Sequence, residues 1–203
     1  MNEPASDVRI MLAGPEHIEG LAELFHAAGS PCFCRFWHFT GTNNEWLDVC
    51  ANAPRENADV FARALAERSD EARGIVALHE GRVVGWLKVA PASVMRKAYE
   101  RRFYKQLPVL KGDREGVFLI GCALVHPAYR KRGVAKALVG GAVELAPSLG
   151  ASVLEALPCR PNEPAVMDEA LWTGPMGAFM AHGFVEVGGF EMYPVLRKTF
   201  APR

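Results

Sequence analysis

A short basic segment in the second half of the chain has the residue types that bind a phosphate. Arg130, Lys131 and Arg132 stand directly before Gly133, and an apolar run with helical spacing follows them. A helix that begins here exposes unpaired backbone N–H groups at the positive end of its dipole, where anions bind. Gly133 has no Cβ and Ala135 is small, so a ligand can approach the backbone closely. The segment therefore predicts a phosphate or pyrophosphate ligand, although basic, glycine-containing helix starts also occur without one.

Two better-known phosphate loops do not occur in the sequence. It has no G-x-x-x-x-G-K-S/T pattern, and no G-x-G-x-x-G pattern between a strand and a helix. ATP hydrolysis and dinucleotide redox chemistry are therefore disfavoured. The 23 basic and 23 acidic residues cancel, whereas a polyanion binder normally carries a basic excess, so nucleic acid is not expected as a partner.

The composition predicts a cytoplasmic protein. No apolar run reaches the roughly 18 residues of a membrane-spanning helix, so no membrane partner is expected. The N-terminal residues MNEPASDVRI lack the basic and apolar regions of a secretory signal. The five cysteines are odd in number and match no disulfide-rich scaffold, which favours a reducing compartment.

Hydrophobic periodicity and turn residues predict a mixed α/β fold around the basic segment. The strand at residues 117–125, a helix from Arg132 to about Leu145 and the strand at residues 151–157 form a crossover unit, so these strands should be parallel neighbours. The clearest hairpin has Glu80-Gly81 at its turn, where glycine suits a positive φ. The other predicted strands cover residues 8–13, 74–79, 82–89, 184–187 and 192–199. One further helix is predicted to begin at Gly14-Pro15-Glu16, and others are predicted over residues 54–68, 95–106 and 174–182. Residues 30–44 are predicted to be irregular.

Two motifs resemble a known family. Residues 125–135, VHPAYRKRGVA, are similar to the acetyl-CoA signature of the GNAT acetyltransferases, whose core is R/Q-x-x-G-x-G/A. Arg130, Gly133 and Ala135 occupy its three fixed positions. Residues 179–184, FMAHGF, resemble the second marker of the family, an aromatic residue four positions before a Gly-Phe pair.

The resemblance extends over nearly the whole chain. The order of the predicted elements matches the GNAT fold, which implies one domain over residues 1–203 with an acetyl-CoA-binding core at about residues 115–185. That fold has a mixed central sheet, a β-α-β core and a splay between the two central parallel strands. Smaller similarities, the Cys32-x-Cys34 pair among them, resemble a poorly characterised bacterial subgroup.

The resemblance also implies how the cofactor is bound. In GNAT enzymes the pyrophosphate rests on backbone amides of the basic loop, and the pantetheine arm pairs with the preceding strand inside the splay. An unpaired strand edge explains physically why an amide-rich arm binds there. A backbone N–H near Leu124 or Val125 is the implied oxyanion donor. The implied acetyl-CoA-binding residues are Ala123, Leu124, Val125, Arg130, Lys131, Arg132, Gly133, Val134, Ala135 and Phe179.

The sequence offers candidates for the acid and the base, with alternatives. Glu155 is the best base, since a carboxylate in an otherwise apolar strand would have a raised pKa. The alternative is a structural glutamate bound to arginine or backbone. Phe179 stands where the family often has an acidic tyrosine, so another group protonates the thiolate or it leaves unassisted. Tyr193, Tyr129 and Tyr104 are the substitutes, although packing or surface roles explain them as well.

The irregular segment after the first helix is rich in aromatic residues and cysteines. The aromatic residues lie where the family builds its acceptor site, although buried packing is a common explanation; they are Phe33, Phe36, Trp37, His38 and Phe39. Cys32, Cys34, Cys50 and His38 suggest zinc. However, a second C-x₂₋₄-C pair is missing, so no metal is expected.

These features predict an acetyltransferase that moves an acetyl group from acetyl-CoA to an amine. The zero net charge gives no bias towards basic protein tails, which favours a small-molecule acceptor over a protein N-terminus or lysine. A non-catalytic acyl-CoA-binding sensor is the alternative from a different class, and Phe179 keeps it open. The oligomeric state is also open, a homodimer included.

Overall fold

One mixed sheet with helices on both faces makes up the described part of the protein. The computed structural model describes residues 8–160 and 171–201, so the rest of the predicted 1–203 domain lies outside it. The sheet has the strand order β1-β2-β3-β4-β5-β7-β6. The strands are β1 (Arg9–Leu12), β2 (Gly74–His79), β3 (Arg82–Pro91), β4 (Val117–Val125), β5 (Val153–Ala156), β6 (Val185–Phe190) and β7 (Tyr193–Thr199). The α-helices are α1 (Ile18–Ala27), α2 (Asn43–Asn52), α3 (Pro54–Ala66), α4 (Arg96–Tyr99), α5 (Val134–Leu145) and α6 (Met176–Ala181).

Three hydrophobic clusters fill the space between the sheet and the helices. α5 and α6 cover one face, where Leu138 and Phe179 share a buried cluster with Leu154. α1 and α3 cover the other face over β1–β3, around Trp86. The segment after β3 covers the same face over β4, β5 and β7, around Tyr104. None of the helices in the described part is long and apolar enough to cross a membrane.

The central β4–β5 pair has the geometry that the sequence predicts. The two strands are parallel, which confirms the crossover unit, but they pair only from Val117 to Ile120 on the β4 side. The register of β4 on β3 skips Gly121, so a β-bulge lies where the β4–β5 pairing ends. A Cβ at Gly121 would lie 2.3 Å from Met95 Cε and 2.9 Å from Trp37 Nε1, so only glycine fits. Because a bulge bends its strand, β4 leaves β5 and a gap opens along residues 121–125.

Some predicted elements are confirmed and others are wrong. The β2–β3 hairpin is present, with Glu80 (φ 49°) and Gly81 (φ 79°) in its turn. The predicted helix over residues 95–106 is wrong beyond Tyr99, because the chain turns there and buries Tyr104 completely against the sheet. Tertiary packing overrides the helix propensity of this charged run. The sequence interpretation also missed α2, whose start carries a capping box of Thr42 and Glu45.

Candidate active site

A cleft of about 440 Å³ lies along the end of β4, beyond the residues that pair with β5. Four pieces of chain line it: the residues after α1 (28–30), the end of β4 (123–125), the basic loop with the first turn of α5 (129–131 and 133–136), and the segment before and within α6 that includes Trp172. This volume is that of a typical small-molecule site. The cleft therefore joins the predicted phosphate loop to the predicted strand edge.

The backbone of the basic loop has the conformation of an anion site. Lys131 (φ 60°) and Gly133 (φ 87°) are both left-handed, and Gly133 is the residue before α5. The first residues of α5, Val134, Ala135 and Lys136, have N–H groups without partners in the helix, and all three line the cleft. A Cβ on Gly133 would meet no protein atom within 4 Å. Gly133 therefore keeps the space in front of these N–H groups open.

The charged side chains of the loop divide between the cleft and its surroundings. Arg130, Lys131 and Lys136 line the cleft, and Arg130 Nε donates to the Val125 carbonyl at 3.3 Å. The Arg132 guanidinium lies over the Tyr129 ring instead, 5.5 Å from its centroid. Arg132 does not line the cleft, and its contact with the cofactor stays a prediction. Lys136 was not among the predicted residues, although it follows the signature directly.

The backbone of β4 presents alternate residues to the gap. The Ala123 N–H donates to the Trp172 carbonyl across the gap at 2.7 Å, whereas the His126 N–H donates to Val84 on the β3 side at 2.9 Å. Because backbone groups alternate along a strand, Val125 faces the gap with Ala123, and Leu124 faces β3. Of the two N–H groups expected near the thioester, the one on Val125 therefore points into the cleft.

Trp172 forms a wall of the cleft that sequence reasoning missed. It stacks on Trp37, with 5.3 Å between the ring centroids. Trp37 is 4% exposed, so the predicted aromatic segment contributes a buried support to the cleft. Residues 28–30, which follow α1, also line the cleft and were not predicted. No local pattern marks them, because only the docking of α1 brings them to β4.

Glu155 does not line the cleft, so its predicted position is wrong. Its side chain is fully buried, Arg197 Nε donates to Oε1 at 2.7 Å, and an Arg114 N–H donates to Oε2. Both carboxylate oxygens are thus held by cations, which supply the partners that a buried charge requires. The structural alternative, a glutamate bound to arginine, describes this residue.

Tyr193 and Phe179 are also outside the lining of the cleft. Tyr193 stacks on Phe103 with 4.9 Å between the centroids, and it belongs to the cluster around Tyr104. Phe179 is fully buried and packs on Phe184 at 5.3 Å. Its neighbour Ala178 does line the cleft. Phe179 anchors α6 in the buried cluster, and its contact with the cofactor stays a prediction.

A family model decides the classification. The model of the acetyltransferase (GNAT) family matches residues 40–167, more than half of the chain. The chain belongs to the GNAT acetyltransferase family. A search of curated proteins finds no match. The predicted α/β GNAT fold and the acetyltransferase class are thereby confirmed at the level of the family.

Solved structures show the same fold at low sequence identity. The PaiA N-acetyltransferase from Thermoplasma acidophilum in complex with coenzyme A is 10% identical, with a TM-score of 0.54 over 96% of this chain and 99% of that one. A GNAT family acetyltransferase from Brucella melitensis in complex with acetyl-CoA is 16% identical, with a TM-score of 0.52 over 96% and 89%. A GNAT family acetyltransferase from Streptococcus pneumoniae is 15% identical, with a TM-score of 0.54 over 96% and 100%.

This GNAT chain has an unusual buried charged group on β3, the strand next to β4. Lys88 on β3 is fully buried next to Cys122, donates to the Glu71 carbonyl, and has its pKa lowered by burial to about 8. Burial would raise the pKa of Cys34, but the thiol of Cys122, the Lys88 ammonium and Trp86 together lower it. The Trp86 Nε1 donates to Cys34 Sγ at 3.3 Å.

The predicted absence of zinc near the cysteines stays a prediction. Within residues 8–160 and 171–201, no three His, Cys, Asp or Glu side chains are grouped as they would be around a metal. Cys34 accepts from Trp86, and Cys50 Sγ accepts from Asn57 Nδ2 at 3.7 Å. Burial lowers the pKa of His38 to about 3, so its imidazole is neutral near pH 7.

Proposed function

We propose that this GNAT chain transfers the acetyl group of acetyl-CoA to the amine of a small molecule, by direct attack in a ternary complex. The observation that carries the proposal is the cleft, because it joins an anion-binding helix start to an open strand edge. A polyphosphate and an amide-rich arm in one ligand need both features, and coenzyme A has both. The family supports acetyl transfer, and the complexes of the two CoA-bound neighbours support this ligand.

The residues of the cleft fit coenzyme A group by group. The N–H groups of Val134, Ala135 and Lys136 suit the pyrophosphate, and Lys131 adds a charge beside them. The end of β4 lies along the cleft from Ala123 to Val125, which suits the passage of the pantetheine arm. The apolar wall of Trp172 suits the thioester end, where it would exclude water.

The chemical step needs a hydrogen-bond donor for the developing oxyanion, and the backbone of β4 offers one. When an amine attacks the thioester, negative charge develops on the carbonyl oxygen, and a fixed N–H aimed at it lowers the barrier. The Val125 N–H is the donor that we assign, because Leu124 faces β3 and the Ala123 N–H bonds to Trp172. The C–S bond breaks as the C–N bond forms, and the thiolate is a tolerable leaving group near neutral pH, so its departure needs no tyrosine at the position of Phe179. The proton that the amine loses goes to water, because no Asp, Glu or His lines the described part of the cleft.

A turnover assay tests the proposal. The purified chain is incubated with acetyl-CoA and a panel of primary amines, and free CoA and acetylated amine are separated by chromatography. A colorimetric thiol reagent is unsuitable, because the chain itself has five cysteines. We expect CoA release that requires both an amine and the enzyme. Failure to bind acetyl-CoA at all would overturn the proposal.

A non-catalytic acyl-CoA sensor is the second candidate. It is favoured by the position of Glu155, because the predicted base is held by Arg114 and Arg197. The same assay separates the two functions. Stoichiometric acetyl-CoA binding without CoA release, over small amines and over peptides with free N-termini or lysines, would identify the sensor.

A further inference from the structure

A second cavity of about 450 Å³ lies at the other end of β4 from the cleft. It is formed by the segment after β3, which contains α4, and by the residues that lead into β4. The Ala92 N–H, at its wall, donates to the Val117 carbonyl at the start of β4, whereas the cleft begins at Ala123. At a rise of about 3.3 Å per residue, Val117 and Ala123 are roughly 20 Å apart along β4. No residue lines both cavities.

The charges around this second cavity are mostly positive. Arg96, Lys105, Lys111 and Arg114 line it, and Glu100 is the acidic residue among its lining. The chain as a whole is neutral, so this is a local concentration of charge. Arg114 also donates to Glu155 through one terminal N–H, which leaves its Nε directed elsewhere. A concave surface with an excess of cations raises the local concentration of anions.

The same cavity collects buried polar atoms without hydrogen-bond partners. In the described part of the chain, four buried side-chain N or O atoms have no partner, and three of them belong to residues that line this cavity. They are Tyr99 Oη, Tyr104 Oη and Arg114 Nε. Buried polar groups are nearly always bonded, and each exception calls for an explanation such as a missing ligand.

These unpartnered groups all donate. Burial raises the pKa of Tyr104 to about 12, and burial also raises the pKa of Tyr99 well above its ordinary value. Both hydroxyls therefore keep their protons at neutral pH and can donate, as Arg114 Nε does at any pH. The Tyr99 hydroxyl lies beside Arg114 and Glu155 but is hydrogen-bonded to neither of them.

We propose that this cavity binds a small ligand through an oxyanion, a carboxylate or a phosphate, held by Arg114, Tyr99 and Tyr104 with Arg96 and Lys105 around it. An oxyanion only accepts hydrogen bonds, and the cavity offers donors and positive charge. Leu110 and Ala92 give it an apolar side for the rest of the ligand. The ligand would share Arg114 with Glu155, which links the cavity to β5, the partner of β4.

Titration with simple anions tests this site. Inorganic phosphate is one arm and citrate is the other, each compared with chloride at equal ionic strength, with thermal unfolding and calorimetry as readouts. The two arms distinguish a phosphate from a carboxylate ligand. We expect saturable binding and a rise in melting temperature with at least one of them. A rise that is linear in concentration and equal for chloride would overturn the proposal.

Variants assign the binding to this cavity. Arg96→Gln should weaken anion binding at least about fivefold. Arg102→Gln removes another exposed charge from the same segment, but Arg102 does not line the cavity, so anion binding should not change. Equal effects of the two variants would show nonspecific attraction and overturn the site. Gly133→Val changes the cleft and should leave anion binding to the second cavity intact. If only Gly133→Val loses anion binding, the anion binds in the cleft, and the proposed site in the second cavity is wrong.

Tyr104→Phe and Tyr99→Phe distinguish a role of the two hydroxyls in anion binding from a role in stability. Removal of a hydroxyl without a partner should leave the free energy of unfolding of the free protein unchanged or raised. The same variants should weaken the anion, because they remove a donor to it. If either variant instead destabilises the free protein by about 1 kcal/mol or more and binds the anion normally, its hydroxyl has a protein partner and is not part of the site.

Discussion

The basic loop before α5 and the ion cluster around Glu155 show two different ways in which a sequence specifies a polar site. The loop offers backbone N–H groups, which the glycine and the helix start at residues 130–136 position locally. The cluster depends on side chains, and the partners of Glu155 are 41 and 42 residues away at Arg114 and Arg197. The first site could be predicted from a short pattern. The second could not, because its partners meet only after the sheet has formed.

The largest expected effect is the loss of stability when Glu155 is changed. Glu155→Gln leaves two arginines against a neutral amide in the core, so we expect the free energy of unfolding to fall by about 3 kcal/mol. The matched control is Glu186→Gln, which removes an ion pair with Arg160 whose side chains are 36% and 43% exposed. That change should cost less than about 1 kcal/mol. Denaturant unfolding of both variants measures the difference.

The opposite result would restore the catalytic interpretation of Glu155. If Glu155→Gln is as stable as Glu186→Gln but loses turnover by about 10²-fold or more, the carboxylate acts as a base. Turnover and unfolding should therefore be measured on the same preparations.

Lys88 extends the comparison to a buried charge that lacks the two ionic partners of Glu155. Burial lowers its pKa to about 8 in the folded protein, while the unfolded chain keeps the ordinary value near 10.5. Between these values the unfolded state binds more protons, so stability rises with pH in this window. From about pH 8 to about pH 9.5, Lys88 should contribute a rise on the order of 2 kcal/mol.

Lys88→Met should remove that rise, measured as the free energy of unfolding at both pH values. The exposed Lys105→Met is the control and should keep it. A rise that is equal in the wild type and in Lys88→Met would assign the pH dependence to other groups, of which the nearby Cys34 thiol is the first candidate.

A smaller effect is expected at the loop, and it concerns the binding of acetyl-CoA. Gly133→Val puts a side chain into the space before the N–H groups and strains a residue with φ 87°, so acetyl-CoA affinity should fall at least about tenfold, or 1.4 kcal/mol. Gly150→Val has the same kind of strain, at φ 90° and with open space around it, but lies away from the cleft. It should bind acetyl-CoA normally in calorimetry. If both variants bind acetyl-CoA with the same affinity, the loop is not part of the binding site.

The smallest expected effect is that of one charge at the cleft. Lys131→Gln should weaken acetyl-CoA by about twofold to threefold, since exposed charges contribute a few tenths of a kcal/mol to 1 kcal/mol. The weakening should shrink as salt is added, because exposed charges are screened. Arg55→Gln, an exposed change on α3, should have no effect. A loss as large as that of Gly133→Val would mean that the side chain, and not the backbone, holds the anion.

Most strands and the long helices could be predicted from the sequence because their signals are local. The β2–β3 hairpin follows from Glu80-Gly81, and the parallel β4–β5 pair follows from the crossover helix between them. The charged run after Met95 was predicted as a helix and is one only to Tyr99. Its fold depends on the burial of Tyr104 against β4, β5 and β7, which no local pattern reports.

By itself the sequence determined the basic loop before α5, the strand that leads to it and the family. These depend on backbone conformation over a few consecutive residues, and glycine, proline and helical spacing specify such conformations directly. Only the tertiary structure decided that Trp172 walls the cleft, that Val125 and not Leu124 turns its N–H into it, and that Glu155 lies between two arginines. Each of these depends on the register and packing of segments far apart in the chain, where a shift of one residue reverses which groups face each other.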